Sequence, residues 1–328
     1  MLGRLFYGLG AENSIVVISK IIVKWFKGKE LAFAFASKIA IARIGTMLAL
    51  IFSPIIVETA AKWHTAIWLA AILVAISMLA FVVYSMYDIK YDKEADENPE
   101  LLDEDEQFRL IDLWKLVSNR SFIFVSLLCV TFYSAVFPFQ SYLPDLLFNK
   151  FHITQEMSGK ISAILPFGTI IFTPLFGWFV DKKGKAATLM IFGSLILILV
   201  HLSLALTKIP PYIPVFLLGI AFSLVPAAMW PSVAKIVKEN RLGTAYGVMY
   251  SVQNLGLFAF PIIAGKILDA SNAGITANMV EKGLANYDYT STVLMFAGLG
   301  VFGLVFAFLL KHDDKTSGYG LEQPSLKD

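Results

Sequence analysis

The chain has 328 residues, of which 57% are apolar and 16% are charged, and its formal net charge is +2. A water-soluble domain normally carries about 25% charged residues, so this composition indicates a polytopic membrane protein. The near-neutral charge predicts no nucleic-acid partner. Because Cys129 is the single cysteine of this sequence, a disulfide within it and a cysteine-based metal site are both excluded.

Nine apolar stretches are long enough to cross a bilayer core, which takes about 20 helical residues. They cover residues 5–24, 31–57, 64–87, 121–148, 158–180, 187–207, 212–235, 243–268 and 290–310. The gaps on one side hold about seventeen Lys and Arg, and those on the other side about five. The positive-inside rule therefore predicts a cytoplasmic C-terminus and an external N-terminus. No cleavable signal peptide is predicted, because Met1 to Arg4 lead straight into a span that contains Glu12.

The sequence contains an internal repeat. A shift of 211 positions aligns Gly8 with Gly219, Leu31 with Leu242, and Arg43 with Asn254. Both copies cross the membrane in the same direction, as in transporters built from two parallel halves. Three spans at 121–207 precede the second copy and none precedes the first. We therefore expect the chain to hold the last nine of twelve spans.

The residues between the two halves form an acidic, proline-containing run of the solvated-linker type, at 92–106. Apolar residues at helical spacing follow at 108–117, and they predict either a short helix along the cytoplasmic interface or the start of the next span. The predicted domains are a remnant of an N-terminal bundle (1–88), a cytoplasmic linker (89–120), a six-helix C-terminal bundle (121–311) and a cytoplasmic tail (312–328).

A basic loop links two apolar spans with the sequence Gly177-Trp-Phe-Val-Asp-Lys-Lys-Gly-Lys. This pattern resembles the loop signature of the major facilitator superfamily, a large class of secondary transporters, although Ala186 stands where the signature has a further basic residue. The resemblance implies that the loop braces the start of the second span, near 27–30, and acts as a gate. The alternative is a plain positive-inside anchor. The predicted gating residues are Gly177, Asp181, Lys182, Gly184 and Lys185.

Two charged residues are predicted to lie deep in the membrane. Glu12 is twelve residues from Lys24, and Arg43 is thirteen from Glu30. At 1.5 Å per residue, both lie about 18–20 Å from the cytoplasmic end. Such charges cost several kcal/mol and persist with a partner or a function. They could form opposite poles for a zwitterion, a structural ion pair, or a site where Glu12 exchanges protons.

Several sequence blocks resemble the lysosomal dipeptide transporter branch of the superfamily, over nearly the whole chain. The blocks lie at 8–12, 25–31, 42–45, 242–247 and 253–256. The resemblance implies dipeptide transport, with Glu12 and Arg43 gripping the amino and carboxyl termini of the peptide. It also implies an all-α integral membrane fold, here with three helices of the N-terminal bundle and a complete six-helix C-terminal bundle.

Further residues are weaker candidates for lining the substrate cavity, because polar and aromatic side chains in a membrane helix either pack against neighbours or face water. They are Asn13, Tyr133, Gln140, Trp230, Gln253 and Asn254. Lys20 and Lys38 lie within reach of the cytoplasmic surface, and we interpret them as anchors whose ammonium groups extend toward it.

The sequence gives little support to an enzyme. His64, His152, His201 and His312 are scattered without metal-ligand spacing, and neither a P-loop nor a G-x-S-x-G motif is present. We therefore predict no cofactor and no metal. The predicted function is alternating-access transport of small zwitterions, with a proton-coupled exporter or a non-transporting fragment as alternatives. The membrane would be the cytoplasmic one in a bacterium and the lysosomal one in a eukaryote.

Overall fold

The computed structural model describes residues 2–26, 29–60, 64–96 and 110–325, and these ranges are helical apart from short connections. The helices are α1 (Leu2–Phe26), α2 (Leu31–Ala60), α3 (His64–Asp96), α4 (Leu110–Val117), α5 (Arg120–Phe151), α6 (Gln155–Ser162), α7 (Ile164–Lys183), α8 (Ala186–Leu206), α9 (Tyr212–Ile236), α10 (Leu242–Ser271), α11 (Ala277–Glu281) and α12 (Thr290–Ser317).

Nine segments of the described residues are long and apolar enough to cross a membrane, which confirms the predicted all-α, nine-span architecture. One predicted span, 158–180, is divided between α6 and α7 at Ala163. Pro166 explains the division, because proline has no amide hydrogen to donate to the carbonyl of Ser162. The acidic linker prediction falls mostly on 97–109, outside the described residues. The short helix α4 follows it and ends before Asn119, whose side chain caps α5 at Phe122 N.

The helix boundaries match the predicted repeat. A shift of 211 positions carries α2, Leu31–Ala60, onto α10, Leu242–Ser271, and both helices have 30 residues. The second helix of each copy therefore has the same length as well as the same sequence pattern.

The described residues form two compact units. Residues 1–43 and 108–328 make up one, and 44–107 make up the other. In the first, the long helices from α5 to α12 pack around a buried core that includes Phe132, Phe139, Phe222 and Phe296. In the second, apolar side chains are exposed along α3 from Ile67 to Tyr91. The domain boundaries drawn from the sequence remain predictions.

Close helix contact in the first unit depends on glycine. A Cβ atom added at Gly219 of α9 would lie 3.3 Å from the Leu165 carbonyl oxygen and 3.7 Å from the Gly168 Cα of α7. Small residues of this kind let membrane helices approach with their backbones almost touching. This packing holds α9, which carries Phe222 and Trp230, firmly inside the bundle.

Candidate functional site

Three aromatic side chains form a continuous surface, which we call the aromatic wall: Tyr133, Trp230 and Tyr250. They come from α5, α9 and α10. The Trp230 indole stacks on Tyr250 with ring centroids 4.4 Å apart and an interplanar angle of 19°. At its other end the indole Nε1 donates a hydrogen bond of 2.9 Å to the Tyr133 hydroxyl. The wall therefore joins three helices through one fixed tryptophan.

Arg43 lies beside the Tyr133 end of the wall. Its guanidinium carbon lies 5.1 Å from the ring centre of Phe137 and 4.9 Å from that of Phe222, within the range of cation–π attraction. It is also close enough to Tyr133 to interact electrostatically. Phe137 and Phe222 meet edge to face at 5.5 Å, so the guanidinium sits in an aromatic cradle built from α5 and α9.

Glu12 is half-buried on α1, and its carboxylate is close enough to Tyr250 of the aromatic wall to interact electrostatically with it. Within the described residues, no salt bridge joins Glu12 to Arg43. The structure therefore associates the two opposite charges with different residues of the aromatic wall and does not pair them. This is the arrangement that a zwitterion could bridge.

The other predicted cavity residues divide into three groups. Tyr133 and Trp230 belong to the aromatic wall. Gln253 is buried, and its Oε1 accepts a hydrogen bond of 3.3 Å from the Cys129 thiol, so it ties α10 to α5. Among the described residues, the remaining three make no hydrogen bond or ring contact with the wall: Gln140 and Asn254 are half-buried, and Asn13 is exposed.

Lys38 is a residue that sequence reasoning placed wrongly. Its ammonium group donates hydrogen bonds to Ser19 Oγ at 2.7 Å and to the Ile15 carbonyl at 3.2 Å, inside the contact between α1 and α2. It also lies 3.5 Å from the Tyr250 hydroxyl. Position 38 is about two turns from the start of α2 at Leu31, so a lysine there can turn toward the helix end or inward. Nothing in the sequence distinguishes these two directions of the Lys38 side chain.

The predicted gating loop contacts the start of α2. Asp181 is fully buried, and its two carboxylate oxygens accept hydrogen bonds from the backbone N–H groups of Ala32 at 3.0 Å and of Phe33 at 2.7 Å. These N–H groups belong to the first turn of α2, which has no partner for them within the helix. Lys27 and Gly28 lie outside the described residues. The expected contact with the start of the second span is thus present at Ala32 and Phe33.

Gly177 allows this contact to form. A Cβ atom at this position would lie 2.5 Å from the Ala36 Cβ and 2.6 Å from the Ala32 carbonyl oxygen, closer than real atoms approach. Any larger residue would push α7 away from α2. Asp181 would then be moved away from its two donors, so Gly177 and Asp181 act as a pair.

The rest of the loop is held by residues 318–325, which we call the C-terminal strap. Gly184 has a φ of 71°, and a Cβ atom there would lie 2.4 Å from the Glu322 carbonyl oxygen. The backbone N–H of Lys185 donates to that same oxygen at 3.1 Å, and the N–H of Ser325 donates to the Asp181 carbonyl at 3.0 Å. Lys182 is exposed, with its ammonium 5.1 Å from the ring centre of Trp178.

A cavity of about 510 Å³ lies toward the other end of α5. Its lining includes Tyr142, Asp145, Asp269, Asn272 and Tyr289. Tyr289 donates a hydrogen bond to Asp145 across this cavity. Just outside the last span, the hydroxyl and backbone N–H of Thr290 hold the pKa of Asp288 below its usual value. None of these groups contacts the aromatic wall in the recorded interactions.

The sequence was compared with known proteins. It matches the family described as Major Facilitator Superfamily over residues 1–261 and 141–325. It is 32% identical over 277 residues to the lysosomal dipeptide transporter MFSD1 of Bos taurus, covering 82% of this chain and 58% of that protein. It is 33% identical over 278 residues to the Mus musculus protein of the same name, covering 82% of this chain and 59% of the other.

A bacterial protein is also similar. The uncharacterized MFS-type transporter YwoD of Bacillus subtilis is 26% identical over 202 residues, which cover 59% of this chain and 41% of that protein. The chain spans about three fifths of the length of the mammalian relatives that it matches. The nine apolar helices, the repeat, the signature loop and these matches agree. The chain belongs to the major facilitator superfamily.

Proposed function

We propose that this chain provides the substrate site of a carrier that moves dipeptides, or similar zwitterionic solutes, by alternating access. The observation that carries the proposal is that Glu12 and Arg43 lie near different residues of the aromatic wall, Tyr250 and Tyr133, with no salt bridge between them in the described residues. Two half-buried opposite charges that merely stabilised the helices would be expected to pair, since an unpaired charge is costly in a membrane.

The chemistry of the two residues suits the two ends of a peptide. A guanidinium presents its donors in a planar fork that matches a carboxylate, and the recorded contacts of Arg43 are with aromatic rings, which leave those donors available. Glu12 offers a carboxylate to the ammonium group. Tyr133 and Trp230 of the aromatic wall are buried, so they hold α5 and α9 rigidly beside the two charges.

The gating contact supports a two-state mechanism. Asp181 on α7 holds the first turn of α2, the helix that also carries Arg43. Breaking and remaking that contact would move α2 relative to α7, and the substrate site would be exposed to one side or the other. Rocking of one repeat against another around a central site is how transporters built from repeats work.

The names of the mammalian relatives supply the substrate class, because those proteins are described as dipeptide transporters. They do not settle it for this chain, which is about one third identical to them. The charge pattern at the site is independent of those names. Both lines favour a small molecule that carries one ammonium and one carboxylate.

Uptake of radiolabelled Ala-Ala into proteoliposomes tests the proposal. We expect Glu12→Gln and Arg43→Lys each to reduce uptake at least about tenfold, since each loses a charge-assisted or bidentate contact. Lys266→Gln, an exposed residue of α10, is the matched control and should leave uptake unchanged. Normal uptake by both site variants would refute the site assignment.

The same vesicles separate the two alternatives. A proton-coupled exporter would respond to an imposed pH gradient and lose that response when an ionophore is added, whereas a uniporter would follow the dipeptide gradient alone. A protein that binds Ala-Ala but moves none across the vesicle membrane would show that these residues bind substrate without completing a transport path.

A further inference from the structure

Lys38 is a half-buried cation for which the proposed dipeptide site gives no role. Its recorded hydrogen bonds run to neutral acceptors only: a hydroxyl of Ser19, the Ile15 carbonyl and the Tyr250 hydroxyl. Its ammonium also lies 5.9 Å from the Phe35 ring centre and 5.8 Å from that of Tyr250. Within the described part of the chain, no carboxylate lies within salt-bridge distance of it.

The ammonium group of Lys38 lacks the carboxylate partner that usually accompanies a lysine inside a protein. Buried lysines are normally paired with a carboxylate, because hydroxyls, carbonyls and aromatic faces compensate only partly for lost hydration. If Lys38 were a structural tie alone, a glutamine could donate two of these three hydrogen bonds without the cost of a charge. The positive charge therefore points to an anion that arrives from elsewhere.

The position of Lys38 says where that anion would be. Lys38 and Arg43 are five residues apart on α2, a rise of about 7.5 Å. Lys38 lies 3.5 Å from the Tyr250 hydroxyl of the aromatic wall, and Arg43 is close enough to Tyr133 to interact with it electrostatically. Glu12 interacts with Tyr250 as well. The site thus holds two cations and one anion. A zwitterion would engage Glu12 and Arg43, and the positive charge of Lys38 would remain without a partner from the substrate.

We infer that Lys38 is a specificity-determining residue that binds a second carboxylate of the substrate, so the site favours dipeptides with an acidic side chain. The inference rests on the proposed function. The acidic side chain would displace the Tyr250 hydroxyl, the longest of the three hydrogen bonds at 3.5 Å, while Ser19 and Ile15 keep the ammonium oriented.

The test compares two dipeptides of nearly equal size, Ala-Glu and Ala-Gln, in binding to the purified full chain. We expect the unmodified protein to bind Ala-Glu more tightly. Lys38→Gln should weaken Ala-Glu binding by about tenfold or more, the usual range for a hydrogen bond between charged groups, and should change Ala-Gln binding by less than about threefold. Lys38→Arg should keep the preference, and Lys266→Gln is the control on an exposed lysine of α10.

Equal weakening of both dipeptides by Lys38→Gln would overturn the inference, because a structural tie, or a Lys38 that pairs with Glu12 in another state, would affect every peptide alike. No weakening of either would overturn it too. Ser19→Ala is a second variant for the case in which Lys38→Gln does not fold. It keeps the ammonium but removes one of the two bonds that orient it, so it should reduce the preference for Ala-Glu, whereas equal loss of both peptides in it would again indicate a tie.

A third probe separates this inference from the proposed function. If the unmodified protein binds neither dipeptide, the dipeptide proposal fails, and Lys38 is then judged with glutarate, a dicarboxylate without an ammonium group. Glutarate binding that Lys38→Gln removes would support an anion site at Lys38. No binding of glutarate to the unmodified protein, or equal binding to the variant, would overturn it.

Discussion

Asp181 and Arg43 are both charged residues inside the helical bundle, and the protein surrounds them differently. Asp181 is fully buried, and both of its carboxylate oxygens accept backbone hydrogen bonds from the first turn of α2. Arg43 is half-buried and contacts aromatic rings, with no carboxylate within salt-bridge distance in the described residues. A charge whose partners are built in stabilises the fold, and one without such partners is available to a ligand.

The largest expected loss of stability follows removal of the Asp181 carboxylate. Asp181→Ala would leave the N–H groups of Ala32 and Phe33 buried and unpaired, and it would also remove a negative charge from the positive end of a helix dipole. We expect a loss of about 3 kcal/mol in the free energy of unfolding, since each hydrogen bond to a charged group contributes about 1.5–3 kcal/mol. Thermal or denaturant unfolding of the purified protein measures it. Asp181→Asn keeps one acceptor oxygen, so its loss of stability should be smaller than that of Asp181→Ala.

A smaller loss is expected when the same contact is forced apart. Gly177→Val would place a branched side chain against Ala32 and Ala36, where even one carbon is too close. Overpacking of this kind costs about 1–3 kcal/mol. Gly247→Ala is the matched control, because a Cβ there has nothing within 4 Å. A loss of the same size in both variants would show that glycine replacement itself, and not the α2–α7 contact, is responsible.

The aromatic wall should tolerate change better. Trp230→Phe removes the indole N–H that the Tyr133 hydroxyl accepts at 2.9 Å, while it keeps an aromatic ring near Tyr250. One neutral hydrogen bond contributes about 1 kcal/mol, so we expect a loss of that order. Calorimetry would measure it. A double-mutant cycle with Tyr133→Phe should show that the two losses are not additive, and additive losses would contradict a direct bond.

The smallest effect on stability is expected at Arg43. Arg43→Met keeps the length of the side chain and its packing against Phe137 and Phe222, and it removes a charge whose desolvation offsets its cation–π attraction. The free energy of unfolding should change by less than about 1 kcal/mol, although dipeptide binding should be lost. A loss of unfolding free energy as large as that of Asp181→Ala would show that Arg43 has a structural role.

The fold was largely predictable because bilayer crossing constrains composition strongly. Runs of about 20 apolar residues gave the nine spans, and the repeat of Leu31 at Leu242 marked the first residues of α2 and α10. The division at Ala163 was not predicted from Pro166, because proline also occurs inside unbroken helices of this chain, such as Pro138 and Pro144 in α5. Helix boundaries of this sort depend on single hydrogen bonds, and the hydropathy of a segment carries no information about them.

The site was predictable only in part. Glu12 and Arg43 stood out because charges are rare at that depth, and Trp230 and Tyr133 were named as weaker candidates. Tyr250, Phe137 and Phe222 were missed as site residues, because aromatic residues are common in every span and their convergence depends on how α5, α9 and α10 pack. The strap at 318–325 was missed as well, since its hydrogen bonds to Asp181 and Lys185 use backbone atoms, which leave no trace in side-chain patterns.

The most direct test of the central claim is the thermal unfolding temperature of the purified protein with and without saturating Ala-Ala. A ligand that binds the folded state raises that temperature. We predict a clear rise for the unmodified protein and for the control Lys266→Gln, and no rise for Glu12→Gln or Arg43→Met, although all four proteins unfold at similar temperatures without ligand. An equal rise in the two site variants would contradict the claim that Glu12 and Arg43 hold the ends of the peptide.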